Sequence, residues 1–374
     1  MGDLKRIFIV DPNSYNNLQL YDEKLIENLE KITPHQIVLI GNKKYKDLGL
    51  IINKKLIFNY SDLRGIAKGF SYAISYLKLI FLCIKYKPNV VHYQWLKIYF
   101  FDLNAIKLIK LILPNTKIVY TAHNILPHGS GIKYERIFGK LYKQFHQIIV
   151  HDNISKSTIK EKFRIDYGKI HVIPHGVLDY SKFLEECEPL QMDVFSNIPD
   201  NATVYALIGN INKYKGVDLL FEAWEKVFKN DGTKYLIIAG KDKHRLTLPF
   251  RKFNNVSLIT RFLKDEEFIT ILKKSHCILL PYIKISQSGV LLTLINEHKP
   301  VIVSPLNGLI EPFSIGQIGC VMERVDAESL SDCITRMDRE VLSGIENNIE
   351  MWNRVKKYYS WESIAIKTLK VYFQ

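Results

Sequence analysis

Residues 204–221 read VYALIGNINKYKGVDLLF. The apolar run ending at Gly209 reads as a buried strand, Gly209 to Gly216 as a loop carrying Lys213 and Lys215, and Val217 onward as the apolar-periodic start of a helix. Strand, glycine-flanked loop and helix form one βα unit, and helix-start amides beside lysine ammonium groups suit a phosphate. An ordinary βα turn with exposed lysines would look the same, so the meaning of the loop depends on its surroundings.

Working outward, short β-branched runs alternate with longer periodic stretches along the whole chain, the pattern of parallel sheets and an α/β class. Toward the C-terminus the strand candidates are 204–209, 235–239, 256–259, 277–280 and 301–304, with helices expected over 216–228, 265–274, 289–297 and 327–337. Toward the N-terminus they are 6–10, 36–40, 55–58, 90–93, 117–121, 147–150 and 170–173, with helices over 18–31, 65–86, 102–113, 133–145 and 154–163. Two sheets follow, joined near 176–200 where Gly176, Pro189 and Pro199 interrupt the alternation. The tail 345–373 reads as helix.

The length of 374 residues agrees with two domains, and 47% hydrophobic with 24% charged residues is ordinary globular composition. Five scattered cysteines, with no Cys-x-x-Cys, argue against a disulfide scaffold or structural zinc and for a reducing cytosol. The opening apolar run stops at Asp11 and Pro12, so it reads as a strand and not a secretory signal, and no 18-residue window lacks a charge. The net charge of +14 is one-sided: residues 51–150 hold 15 basic and 3 acidic side chains, interleaved with aromatics such as Tyr72, Tyr76, Phe81, Tyr93 and Trp95. Such a surface suits an acidic membrane face, or else is a solvated basic face over a core of aromatics; no nucleic-acid module is present in the sequence.

A second loop at a strand end, Leu280-Pro281-Tyr282 and then Gln287-Ser288-Gly289-Val290, offers a serine cap and free helix amides at 288–290. Two anion sites at the carboxyl ends of strands in one sheet suit a diphosphate. Neither loop is a phosphate-binding G-x-x-x-x-G-K-[ST] nor a dinucleotide fingerprint. In the first half, the strand 117–121 runs into His123 and Asn124, with His128 just behind, and a histidine there can orient a substrate oxygen.

These pieces, in order, resemble the GT-B nucleotide-sugar glycosyltransferases, specifically the fourth family, which builds bacterial surface polysaccharides. The matching stretches are Val90-Val91-His92, Thr121 to Asn124, Val172 to Val177, Gly209 to Gly216, Ile238 to Lys241, Leu280-Pro281-Tyr282, Gln287 to Leu292, Lys299 to Ser304 and Tyr359 to Glu362. The resemblance implies two Rossmann-like doubly wound domains facing across a cleft. The expected bounds are an acceptor domain over 1–176, a nucleotide-sugar domain over 177–355 and a helix over 356–374 returning to the first.

It also implies a reaction without metal or cofactor, with Lys215 and His123 in catalytic roles. The donor would be held by Gly209, Asn210, Lys213, Lys215, Gly240, Lys241, Gln287, Ser288, Gly289 and Val290, with Arg261 and Phe262 bordering the base. Asn124, His128, Tyr93 and Trp95 would meet the acceptor. Two departures stand out. The family's glutamate pair falls on Ile285 and Thr293, leaving Thr293 at the ribose position, and the glycine-rich turn after the first strand is replaced by Asp11-Pro12-Asn13-Ser14-Tyr15.

The function expected is transfer of a sugar from a UDP- or GDP-sugar to a lipid-linked or glycan acceptor in capsule, O-antigen or exopolysaccharide synthesis. The enzyme would be cytoplasmic and peripheral on the inner face of the plasma membrane, touching an anionic surface and no nucleic acid. A GT-B epimerase acting on a UDP-sugar, a phosphorylase, or a non-catalytic membrane-associated binding module are the alternatives.

Overall fold

A computed structural model describes residues 4–47, 49, 51, 53–127, 132–177, 190, 192–196, 198–285 and 288–374. The chain divides into two compact units, Met1–Gly176 with Tyr359–Gln374, and Val177–Tyr358.

The first unit contains β1 (Arg6–Val10), α1 (Gln19–Ile32), β2 (Gln36–Asn42), β3 (Lys54–Phe58), α2 (Gly65–Tyr86), β4 (Val90–Tyr93) and α3 (Tyr99–Ile112). β5 (Lys117–Thr121), α4 (Ile132–Tyr142), β6 (Gln147–Val150), α5 (Asn153–Phe163) and β7 (Ile170–Val172) follow. The strands form one parallel sheet in the order β3-β2-β1-β4-β5-β6-β7. Alternate side chains point to opposite faces and both faces are covered, which is why the central strands are mostly apolar, while edge strand β3 opens with Lys54 and Lys55. Phe8 and Val10 pack with Tyr72, Leu79 and Ile106 on one face, and Ile7 and Ile9 with Leu25 and Ile364 on the other.

The second unit contains β8 (Thr203–Ile208), α6 (Val217–Ala223), β9 (Lys234–Ala239), β10 (Val256–Ile259), α7 (Asp265–Lys274), β11 (Cys277–Leu280) and α8 (Gly289–Asn296). Then come β12 (Val301–Val303), α9 (Asn307–Ile310), β13 (Gly319–Val321), α10 (Ala327–Arg336), α11 (Arg339–Glu346) and α12 (Ile349–Tyr358). Its sheet, also parallel, runs β10-β9-β8-β11-β12-β13. Both sheets are doubly wound, and each reverses its strand order once, between β1 and β4 and between β8 and β11. Ligands of open α/β sheets bind outside the carboxyl ends at such a reversal.

The structure corrects several sequence expectations. The helix expected over 216–228 changes at Trp224 to a wider turn through Phe228. The tail is not one helix: after α12 the chain breaks and restarts as α13 (Trp361–Phe373), whose cap Ser360 accepts from the Ser363 amide at 3.2 Å. α13 returns to the first unit and packs on the α1 face of its sheet, with Ile364, Ala365, Val371 and Tyr372 in that core. Cys320 of β13 and Cys333 of α10, expected to remain thiols, are joined in a disulfide with Cα atoms 6.0 Å apart. They come from a strand and the helix after it, which fold back on each other across a short loop.

Candidate functional site

In the second unit, three chain segments converge at the carboxyl ends of β8, β9 and β11. Gly216 opens α6 with φ of +71°, a left-handed conformation that suits glycine, and a Cβ there would run into the Pro281 carbonyl after β11. A Cβ on Gly240, after β9, would strike the Gly209 carbonyl. The glycines therefore let three backbones meet with no side chain between them.

Lys215 lies on that floor. Its ammonium donates to the Ile208 carbonyl at 2.8 Å and sits 5.4 Å from the centre of the Tyr282 ring. It is 4% exposed, and burial pushes its pKa down to about 8. A methyl placed on Gly209 would lie 2.9 Å from Lys215 Nζ and 3.9 Å from Val290 Cγ2. The lysine head and the first turn of α8 thus flank one point. Ser288 caps α8, accepting from the Leu291 amide at 3.3 Å, and shares a hydrogen bond with the Tyr282 hydroxyl. First-turn amides of a helix have no partner within it, so those of Gly289 and Val290 are placed to receive an anion.

The remaining donor-side residues spread around this floor. Asn210, Lys213 and Lys241 are exposed. Arg261 makes a two-pronged ion pair with Glu267, at 2.7 and 2.6 Å, which holds the Glu267 carboxyl down at about 2; Phe262 beside it is exposed. Gln287 lies outside the described residues. Thr293, expected at the ribose, is instead buried and bonds back to the Gly289 carbonyl at 3.1 Å, as a threonine one helical turn on readily does.

In the first unit a polar row crosses the carboxyl ends of β4, β5 and β6, on the face covered by α1 and α13. Gln94 Oε1 stands 3.2 Å from His123 Nε2, His123 Nδ1 3.0 Å from His151 Nε2, and His151 Nδ1 2.9 Å from the Ile173 carbonyl. Trp95 stacks on the His123 ring, 4.8 Å away and 8° from parallel. Tyr21 of α1 meets His123, His175 and Trp361 edge-on, with centroids 4.7, 4.9 and 5.0 Å away. Burial lowers the pKa of all three histidines, His151 to about 3. Asn124 lies half-buried next in the chain, and His128 is outside the described residues.

Tyr93 corrects the acceptor assignment. It is fully buried in the core beside Phe145, so it has no surface to offer a substrate. Strand alternation explains this, since Tyr93 points to the α2 face while its neighbours His92 and Gln94 point to the α1 face.

His151, Gln94 and Tyr21 are the residues that reading along the chain misses. The available signal lies across the sheet: β5, β6 and β7 each run into a histidine, and pairing Thr121 with Ile149 sets His123 beside His151. The loop replacing the glycine-rich turn is also filled. Asp11 and Asp22 hydrogen-bond to each other, and burial raises both pKa values, that of Asp11 to about 7. Among the described residues no group of His, Cys, Asp and Glu has the arrangement of a metal site.

Residues 33–178 match the domain called Glycosyltransferase Family 4, and residues 202–339 the domain called Glycosyl transferases group 1. A glycosyltransferase from Rickettsia africae ESF-5 superposes with a TM-score of 0.71 at 18% identity, covering 99% of this chain and 98% of its own. HepE from Anabaena, solved in complex with UDP, gives a TM-score of 0.70 at 13% identity, covering 98% and 99%. The lipopolysaccharide outer core galactosyltransferase WaaB gives 0.67 at 14% identity, covering 99% of each chain. At such identities the likeness is one of fold. No curated protein sequence matches the chain. With a family 4 domain on its first sheet, a group 1 domain on its second and the doubly wound topology of both, the chain belongs to the GT-B glycosyltransferases.

Proposed function

We propose that this glycosyltransferase moves one sugar from a nucleoside diphosphate sugar to a lipid-linked or glycan acceptor in bacterial surface polysaccharide synthesis. The observation that carries the reading is the meeting of the Lys215 ammonium and the first turn of α8 at Gly209. A diphosphate there would receive hydrogen bonds from Lys215 and the amides of Gly289 and Val290, with Lys213 adding charge from the exposed side of the loop. UDP is favoured over GDP by the complexes formed by HepE, which shares the fold.

In the step itself the bond between the sugar's anomeric carbon and the diphosphate oxygen breaks, and its electron pair stays with the diphosphate. The acceptor hydroxyl oxygen bonds to that carbon and gives up its proton. Negative charge builds on the departing oxygen, so donors fixed in place around it lower the barrier. Lysine and helix dipoles here take the part that a metal ion plays in other transferases. His123, with Asn124 and Trp95 near it, is assigned to the transferred sugar and acceptor. The enzyme works on the cytoplasmic face of the plasma membrane, where a lipid-linked acceptor is anchored.

The test is thermal stabilisation by UDP-, GDP- and ADP-sugars, followed by transfer of label from the best donor in the presence of a chelator. Stabilisation that Lys215→Ala abolishes, with chelator-resistant transfer, is expected. A folded protein that no nucleotide stabilises would refute the donor site, and label appearing as free epimerised sugar without acceptor would reassign the enzyme as an epimerase.

A further inference from the structure

α2 carries two apolar stripes. One, with Tyr72, Tyr76, Leu79 and Cys83, is buried against the sheet, and the Tyr72 and Tyr76 hydroxyls both donate to Asp102 at 2.6 Å. The other, Ile66, Phe70, Ile74, Leu77, Phe81 and Ile84, recurs every three or four residues on the opposite side and faces outward. Ile66 is 92% exposed, Phe70 69%, Leu77 65% and Phe81 62%. A soluble helix keeps its outer face polar, and a contiguous apolar strip of this size marks a contact surface.

Charge decides what covers it. From residue 63 to 101 there is no acidic side chain, while Arg64, Lys68, Lys78, Lys85, Lys87 and Lys97 are all basic. A second copy packed on the stripe would set these cations against one another with no carboxylate in the segment to pair them. Nucleic acid would satisfy the cations and leave the aliphatic and phenyl groups in water. An acidic bilayer offers apolar chains and negative headgroups together along the whole length of such a helix.

By length and composition α2 is also the kind of helix that crosses a membrane. Its inner stripe rules out that use, because Tyr72 and Tyr76 are tied to Asp102 and Leu79 and Cys83 sit in the core. The helix is held along the surface of its unit and presents its length sideways.

We propose that α2 lies flat in the headgroup region of an acidic leaflet, with Ile66, Phe70, Ile74, Leu77, Phe81 and Ile84 entering the acyl boundary and the flanking basic side chains meeting lipid phosphates. This deepens the membrane assignment made above by naming the element that binds, and it stands independently of the donor site. The aromatic residues that suggest a membrane face in the sequence are divided by the fold, with Tyr72, Tyr76 and Tyr93 going to the core and Phe81 to the lipid.

The full-length protein is sedimented with vesicles of phosphatidylcholine mixed with phosphatidylglycerol and with phosphatidylcholine alone, beside the variant Leu77→Asp/Phe81→Asp. The wild type pellets with acidic vesicles and is only partly released by high salt, because the apolar contact survives screening. The variant, melting at the wild-type temperature because both positions are exposed, loses binding on the order of a hundredfold. Wild-type protein left in the supernatant, or a variant that pellets equally, overturns the proposal. So does a stable dimer that the variant dissociates, which would give the stripe to a second copy. Nucleotide stabilisation measured on the same samples reports on the donor site separately.

Discussion

His151 fixes the chemistry of His123 from the neighbouring strand. The Ile173 carbonyl, 2.9 Å from His151 Nδ1, can only accept, so that nitrogen carries the proton and Nε2 is bare. His123 Nδ1, 3.0 Å from that bare nitrogen, must then donate, which leaves His123 Nε2 as an acceptor. Gln94 faces it at 3.2 Å, and its amide nitrogen has no partner among the described residues. Turning the amide over lets the NH2 donate to His123.

The first prediction follows from that order. Nitrogen NMR of histidine-labelled protein should show both His123 and His151 protonated at Nδ1. His151→Phe, which keeps a ring but removes the acceptor, should shift His123 toward the other tautomer and lower the turnover number about tenfold or more. His151→Gln, which restores an acceptor, should recover part of both. A His123 signal unchanged in His151→Phe would show that the contact does not set the tautomer.

Lys215 should make nucleotide affinity sensitive to alkali. Burial holds its pKa at about 8, so the unliganded ammonium begins to lose its proton in mildly basic solution. The dissociation constant for UDP, measured by calorimetry, should rise above that pH in the wild type. Lys215→Ala should bind roughly ten- to a hundredfold more weakly and without this alkaline rise.

Stability should fall on acidification from near neutrality to about pH 4. His92 and His151 are buried and His123 and His175 half-buried, and desolvation lowers the pKa of all four, so they take up protons mainly on unfolding. Below the ordinary histidine value each subtracts up to ~1.4 kcal/mol per pH unit until its folded value is reached. Asp11 and Asp22, raised by burial, act in the opposite sense, since the folded state keeps protons that the unfolded state releases. The lowered histidines outnumber the raised carboxylates, since His35, His146, His171, His276 and His298 join the first group and Glu23, Glu30 and Asp102 the second, and Asp11→Asn, which removes one opposing group, should steepen the acid loss in melting curves recorded across this range.

The disulfide between Cys320 and Cys333 closes a short loop, 13 residues apart in sequence. Cross-links of that span stabilise by about 3 kcal/mol through the unfolded chain. Melting with and without reductant should differ by several degrees in the wild type and not in Cys333→Ser, which should match the reduced protein once its small packing loss is allowed for.

Most of the strands were legible because their signal is local. Most are short apolar runs buried in the sheet, with the edge strands β3 and β10 only half-buried, and β1, β4, β5, β6, β10 and β11 begin and end where composition places them. The glycine-flanked loop on which the donor proposal rests was legible for the same reason, since Gly209, Lys215 and Gly216 lie close together in sequence. What could not be read depends on pairing across the sheet or on which side of an element faces out. His123 finds His151 through strand register, Thr293 turns inward because its own helix supplies a carbonyl, and the outer stripe of α2 shares its spacing with the inner one. A 3.6-residue period marks an amphipathic face without saying what it faces.

The return of α13 to the first sheet means that this half of the molecule is assembled from two segments separated by all of the second unit. Trp361 rests where a side chain on Gly176 would stand, and Tyr372 reaches His92 at 2.7 Å. On the ribosome, that apolar surface must wait uncovered while residues 177–360 are translated, roughly ten to forty seconds at about 5–20 residues per second. Nascent chains should therefore depend on chaperones until residues 361–373 have emerged, and a stop codon placed before Trp361 would leave the first unit without its cover.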